Sequence, residues 1–268
     1  MRIKIGQLTM ALAIMGCSTA NAAVVTIWGE AAGSLSQASM NNFYNGLAGH
    51  SSSIATGTLD TVNLTNVNLL WATQPANSYT AAELSTMSSF LNGGGRIAFM
   101  GEHGTYTPNE NNRINAALSA VGSTISINNV ILDSGSRSAS VGDGQILSHA
   151  LTAGVSTYYY AAFAPLSISG TAEALMLGED SYLGNPSIMM AYQNIGPGSV
   201  FLITDQNVWD GAPNNWPGYN NGTMFENLLI GSTGAPPVDP TPVPEPVSLA
   251  LLGIGLAGLG AMRRRKTA

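Results

Sequence analysis

Thiols, cations and imidazoles are scarce in this chain: one cysteine, nine lysines and arginines, and three histidines among 268 residues. The single Cys17 lies in the amino-terminal apolar stretch. Once that stretch is removed, the chain has no disulfide, no thiolate metal ligand and no thiol nucleophile. Between Ala23 and Ser232 there is no lysine, and Arg96, Arg113 and Arg137 stand against thirteen carboxylates. Three against thirteen leaves a net charge of −10, more negative than the −6 of the whole chain. Such a surface repels phosphate backbones, which excludes nucleic acid as a partner. His50, His103 and His149 are far apart and lack H-x-x-x-H spacing, so no metal site is expected. No G-x-S-x-G elbow is present. The run Gly93-Gly94-Gly95 has no Walker lysine, so neither a phosphate loop nor a cofactor is expected.

What is present begins with two unusual ends. Arg2 and Lys4 precede an apolar run from Ile5 to Met15, and Ala20-Asn21-Ala22 forms an A-x-A cleavage site. This reads as a signal peptide over residues 1–22, with export through the Sec machinery and a mature start near Ala23. Ile14-Met15-Gly16-Cys17 gives a competing lipoprotein reading, for which Met15 fits poorly. At the other end, Gly234 to Pro244 carries proline at every second or third position. Proline fixes φ and removes backbone donors, so residues 233–244 read as an extended linker. Residues 247–262 follow as an apolar run led by Leu and Ala, with Gly at 253, 255, 258 and 260, and then Arg263-Arg264-Arg265-Lys266. As a helix this run would be about 24 Å long at 1.5 Å per residue, slightly short of the ~30 Å hydrocarbon core. The expected single transmembrane helix would place the basic tail, residues 263–266, in the cytoplasm and the preceding domain outside.

Pro244-Glu245-Pro246, the apolar helix and the basic cluster of Arg263, Arg264 and Arg265 resemble, in that order, the PEP-CTERM sorting signal of Gram-negative bacteria. The resemblance covers residues 245–268 and implies export, an inner-membrane stage that is transient or permanent, processing by an exosortase, and a cell-surface or extracellular destination. Proteins with this signal tend to be associated with exopolysaccharide, which makes polysaccharide the implied partner.

The remaining piece, residues 23–232, is long enough for one domain with a sizeable core. Val24 to Trp28, Val67 to Thr73 and Arg96 to Met100 read as buried strands. Leu35 to Leu47 and Asn109 to Ala120 read as helices. Between them Thr80-Ala81-Ala82-Glu83 is a capping box, with Thr80 as N-cap, opening a helix through Leu84, Met87, Phe90 and Leu91 that the glycine run stops. Strand–helix alternation argues for an α/β fold with a mostly parallel sheet and helices on both faces. After Thr124 the pattern becomes strand-rich: Ile125 to Leu132, Tyr158 to Ile168, Ala174 to Leu177, Ile188 to Tyr192 and Val200 to Thr204, closed by a short helix from Met224 to Ile230.

The segments TAAELSTMSSFLNGGGRIAFMGE, SHALTAGV, GPGSVFLITDQNVW and FENLLIG resemble class I glutamine amidotransferase-like, flavodoxin-like domains. Catalytic members of that group carry a cysteine on the sharp turn after a strand. Here the comparable turn reads Gly101-Glu102-His103-Gly104, so the resemblance implies the fold without amidotransferase chemistry.

In open α/β sheets ligands bind outside the carboxyl ends of the strands. The residues following the expected strands are Glu30, Gln74, Glu102 with His103, and Asp205 with Gln206 and Asn207. Glu102, His103 and Asp205 are therefore the candidate acid/base residues of a hydrolase, while loops at strand ends are polar in any protein. The segment Asp205 to Asn221 interleaves Trp209, Trp216 and Tyr219 with amides and carboxylates, as a sugar-binding surface requires. The plainer alternative is a loop whose tryptophans fold back onto the core. His50 reads as a solvated loop residue and His149 as a structural one. The leading expectation is a non-enzymatic exported domain with a polysaccharide-binding role; a secreted hydrolase is the alternative.

Overall fold

The computed structural model describes residues 22–30, 36–209 and 217–230. The expected signal peptide, apart from Ala22, lies outside the described residues, as do Trp216, the linker, the apolar run 247–262 and the basic tail. Among the described residues no helix is long and apolar enough to cross a membrane.

Five parallel strands form the centre: β1 (Val24–Gly29), β2 (Ser51–Ile54), β3 (Leu69–Thr73), β4 (Arg96–Met100) and, from much later in the chain, β11 (Gly198–Ile203), in spatial order β2-β1-β3-β4-β11. The sheet continues antiparallel from β11 through β10 (Asn185–Ile195) to β8 (Leu166–Ser167) and β5 (Ser126–Ile127), with β9 (Glu173–Tyr182) also paired to β10. A separate antiparallel ribbon joins β6 (Arg137–Ser140) to β7 (Thr157–Tyr160).

The sheet is therefore mixed rather than mostly parallel. Its strand pairings divide evenly, four parallel and four antiparallel. The reason is local. Tight turns at Leu183-Gly184 and Gly196-Pro197 join β9, β10 and β11 as hairpins, and positive φ at Leu183, Gly184 and Gly196 makes those reversals possible. Only antiparallel strands can be joined so tightly.

Helices α1 (Gln37–Gly46), α2 (Ala81–Asn92), α3 (Pro108–Ala120) and α4 (Asn221–Ile230) cover the sheet. Alternation along each central strand sorts side chains between two cores. Val25, Ile27, Leu69, Trp71, Phe201 and Ile203 pack with Met40, Phe43 and Tyr44 of α1 and with Met224, Phe225 and Leu228 of α4. Leu70, Ala72, Ile97, Phe99, Val200 and Leu202 pack with Met87, Phe90 and Leu91 of α2 and with Ile114, Ala117 and Leu118 of α3.

The expected capping box is formed. Glu83 N donates to Thr80 Oγ1 at 3.2 Å and Thr80 N donates to Glu83 Oε2 at 2.8 Å. Glu83 Oε1 also accepts from Leu59 N at 3.2 Å, so one carboxylate caps α2 and anchors the 3-10 turn Leu59–Thr61. Arg96, on β4, is 2 % exposed and carries its charge inside the sheet. It donates to Ser199 Oγ at 3.0 Å and to the carbonyl of Leu228 near the end of α4, and its guanidinium lies 5.6 Å from the Tyr192 ring centroid. Burial lowers its pKa from the ordinary arginine value.

Thr80→Ala should destabilise the protein by about 1 kcal/mol, as loss of an N-cap does. Glu83→Ala should cost about 2 kcal/mol, because it also leaves the buried Leu59 N–H without its acceptor. Urea unfolding of the two variants measures both, and equal effects would mean that the Leu59 bond contributes nothing.

Candidate functional site

The carboxyl ends of β3, β4 and β11 do bring several expected residues together. Gln74, just after β3, is 1 % exposed and donates from Nε2 to Gln206 Oε1 at 3.0 Å. The backbone N–H of Gln206 donates to Glu102 Oε2 at 3.0 Å, and that of His103 to Glu102 Oε1 at 2.7 Å. Asp205 is fully buried, its Oδ2 accepting from Ala161 N and its Oδ1 from Asn207 N, each at 2.8 Å. Glu102 is 1 % exposed. His103 keeps 22 % of its side chain exposed, with Nε2 3.8 Å from Glu102 Oε1 and Nδ1 2.9 Å from Thr105 Oγ1.

The Gly101-Glu102-His103-Gly104 turn is fixed by its surroundings. Asn111 of α3 accepts from Glu102 N at 3.1 Å and donates to Glu102 O at 2.6 Å. Gly104 lets the next loop approach, since a Cβ there would lie 2.1 Å from the Asn129 carbonyl carbon. Among described non-glycine residues, only Asn66, Asp133 and Leu183 have positive φ. Glu102 thus lacks the strained backbone of a nucleophile elbow.

Burial without a cation sets the electrostatics. Desolvation pushes Glu102 up to about 8, with the charge of Asp205 adding to the shift, while the His103 and Gln206 backbone bonds oppose it. Desolvation likewise pushes Asp205 up to about 7 against its two backbone bonds. Partial burial lowers the pKa of His103. Two neighbouring carboxyl groups in low dielectric cannot both ionise cheaply, so near neutrality the pair retains a proton. This gives one proton donor, one acceptor and a neutral imidazole, which is acid/base equipment in kind. Access is the restriction, because of the three only His103 reaches the surface.

Other expected residues lie elsewhere. Glu30 is exposed and lines a groove of about 440 Å³ with Trp28, Gln37, Asn77, Tyr79 and Glu83, at the ends of β1 and β3. In a 2-1-3-4 strand order this is the topological switch point. Glu102, His103 and Asp205 line none of that groove, so the structure divides the expected edge into two places. Trp209 corrects the surface reading. It is fully buried, because the 3-10 helix Gln206–Trp209 turns its indole back onto α4. There it stacks on Phe225 at 4.3 Å and meets Trp71 edge-on at 5.6 Å. Asn207 is partly buried beside Asp205, and Tyr219 is 37 % exposed. His50 lies in a loop as expected, half-buried, and accepts from Ala23 N at Nδ1 at 3.1 Å. His149 is structural, its Nδ1 accepting from Leu151 N at 3.0 Å. Among the described residues no group of three or more His, Cys, Asp or Glu is placed to hold a metal ion.

Asp133 escaped the sequence reading. It is 1 % exposed, has φ of 48°, and accepts from Tyr160 OH, Glu179 N and Asp180 N at 2.6, 2.7 and 2.7 Å. An Asp-Ser-Gly turn was its only sequence signal.

Solved structures place the domain in a broad class, the flavodoxin-like or amidotransferase-like α/β fold. The N-terminal domain of mmIFT52 is similar at 18 % identity and a TM-score of 0.59, covering 77 % of this chain and 97 % of that one. A putative GMP synthase protein from Thermoplasma acidophilum is similar at 10 % identity and a TM-score of 0.51, over 79 % and 94 %. A cytoplasmic protein from Salmonella typhimurium gives 10 %, 0.52, 78 % and 98 % in the same terms. At these identities the likeness is one of fold alone. No curated protein matches the chain in sequence. Residues 242–266 match the PEP-CTERM protein-sorting motif. The chain therefore carries the signal of an exported protein directed to an exosortase.

The carboxyl pair gives stability a definite pH dependence. Both folded-state pKa values are raised, so from about pH 4 to about pH 8 the folded state binds more protons than the unfolded chain. Stability should then fall as pH rises through that window and level off above it. The melting temperature should drop by several degrees between pH 5 and pH 9, and Glu102→Gln should flatten the slope. An unchanged slope in that variant would show that Glu102 is not the group responsible.

Proposed function

We propose that this chain is a cell-surface or extracellular-matrix protein, non-enzymatic and associated with exopolysaccharide. It is exported by its signal peptide (residues 1–22) and carries its single domain (residues 23–232) on a proline-rich linker (residues 233–244). The sorting signal (residues 245–268) holds the domain on the periplasmic side through helix 247–262, with the basic tail inside, until exosortase processing releases it. The observation that carries this reading is the sorting motif at residues 242–266. Supporting the non-enzymatic part, the turn that bears the nucleophile in the resembling enzymes carries Glu102, buried and bonded to two backbone N–H groups.

Replacing Glu245-Pro246 with Ala-Ala should leave full-length precursor in the membrane fraction of a host that has an exosortase. Processing and release at wild-type level would sink the assignment.

One observation favours a second reading, a secreted hydrolase. Glu102 and Asp205 share a raised proton affinity beside the partly exposed His103. An enzyme of that kind should lose hydrolysis of its glycan or ester substrate by a factor of about 10²–10⁴ on Glu102→Gln, the usual contribution of general acid–base catalysis. Glycan binding without turnover, unaltered by Glu102→Gln, rules this alternative out.

A further inference from the structure

The ribbon of β6 and β7 bears a second concavity, of about 340 Å³, lined by Ser136, Arg137, Ser138, Tyr159, Glu179 and Tyr219. It shares no lining residue with the groove at β1 and β3, and none of the carboxyl-edge residues belongs to it. Its volume is at the lower end of the range of about 300–1,000 Å³ typical of small-molecule sites. One wall is aromatic: the rings of Tyr159 and Tyr219 lie 5.5 Å apart and inclined at 58°, forming a corner rather than a flat stack. The other is ionic, with Arg137 Nε 3.2 Å from Glu179 Oε2 and with 38 % and 51 % of the two side chains exposed. Ser136 Oγ, 2.8 Å from Tyr159 OH, joins the two walls.

Both walls are held in place from behind. Tyr219 precedes two asparagines that act as a clamp on β7. Asn220 Oδ1 accepts from Ser156 N at 3.0 Å and from Thr157 N at 3.2 Å, while Asn220 N donates to Thr157 O at 2.9 Å. Asn221 accepts from Tyr159 N at 2.9 Å and donates to Tyr159 O at 2.8 Å, so its amide pairs with the strand as a neighbouring strand would. The backbone at Glu179 is fixed by the buried Asp133, which accepts from Glu179 N and from the hydroxyl of Tyr160, next in sequence to Tyr159. Gly178 is needed for that approach, since a Cβ there would lie 2.6 Å from Asp133 Oδ2. Positions fixed in advance lower the ordering cost of binding.

We propose that this cleft binds a pyranose unit of a neutral polysaccharide, with the apolar CH face of the sugar on Tyr219 and its hydroxyls bonded to Arg137 and Glu179. The inference rests on the polysaccharide reading above and deepens it by naming the site and the class of sugar. An adjacent donor and acceptor, one guanidinium and one carboxylate, match vicinal hydroxyls that both give and receive hydrogen bonds. Arginine is already neutralised by its partner, and the domain between Ala23 and Ser232 carries −10, so a uronate or phosphate chain would be repelled.

The test uses the full chain purified in detergent, titrated calorimetrically with cellohexaose, mannohexaose and xylohexaose, and with oligogalacturonate as the acidic counterpart. At least one neutral hexaose should bind. Tyr219→Ala should weaken that binding about tenfold or more, as truncation of an aromatic anchor does, and Tyr219→Phe should retain it within about threefold, because stacking needs the ring. Melting temperatures within a degree or two of wild type for both variants would show that the fold is intact. Neutral-glycan binding that is unaffected by Tyr219→Ala and by Glu179→Ala would overturn the cleft and leave the polysaccharide reading standing. Tyr219-dependent binding of oligogalacturonate alone would overturn the choice of neutral sugar. No binding to any probe would overturn both.

Discussion

Every residue of β3, β4 and β11 is buried, on both faces of the sheet. That constraint organises the rest. Strands buried on both faces tolerate few polar side chains along their length, so the polar groups of the central sheet collect where each strand stops. Gln74, Glu102 and Asp205 are such terminal residues, and the groove that opens past Gly29 lies at a strand end too. Burial there is deep because α1, α4 and the β6–β7 ribbon close over one face while α2 and α3 close over the other. The acidic edge is a consequence of topology before it is anything functional.

Arg96 is the exception that defines the rule at the opposite end of the strands. Among the described residues no carboxylate lies within ion-pair distance of it; its Nε and Nη1 bond a serine hydroxyl and a helix-end carbonyl, a tyrosine ring lies beside it, and its buried Nη2 has no hydrogen-bond partner. A buried charge without an opposite charge is costly unless dipoles surround it. The last turn of α4 supplies such dipoles, since the carbonyl end of a helix carries partial negative charge. Arg96 therefore ties β4, β11 and α4 together, and α4 is the element from which the chain leaves toward its sorting signal. The carboxyl groups of Glu102 and Asp205 and the buried guanidinium lie at opposite ends of the same strands, with no salt bridge between them.

Much of this was legible in the sequence because the signals were local. The capping box at Thr80 and Glu83, the strands VVTIW and RIAFM, and the helices before Gly93 and Gly122 all announce themselves through periodicity or hydrogen-bonding residues close in sequence. β2 (Ser51–Ile54) and β6 (Arg137–Ser140) did not, since serine-rich edge strands carry no apolar alternation to detect. The tryptophan-bearing segment left two outcomes open for a related reason. Composition made Trp209 look like a sugar platform, yet a single 3-10 turn directs it into the aromatic core, and nothing short-range distinguishes the two outcomes. Asn220 and Asn221 likewise looked like ligand-facing amides, whereas they complete the hydrogen bonding of β7, more than sixty residues earlier in sequence. The convergence of Gln74, Glu102 and Asp205 followed from strand order, while the separation of Glu30 required knowing which side of β1 the groove opens on.

A domain with three arginines, no lysine and a large excess of carboxylates makes almost no surface ion pairs: Arg113 meets Glu110, Arg137 meets Glu179, and the third arginine is inside. Exposed pairs of this kind contribute about 0–1 kcal/mol each, so their scarcity costs little stability. The effect is instead on interaction. A net charge of −10 between Ala23 and Ser232 disfavours polyanions, and four of the chain's nine cationic residues stand in the terminal cluster Arg263 to Lys266. Among the described residues, Tyr106 and Tyr219 are the exposed aromatic side chains. A pair of tyrosines beside a self-neutralised Arg–Glu pair is the kind of surface that such a background leaves available for recognition.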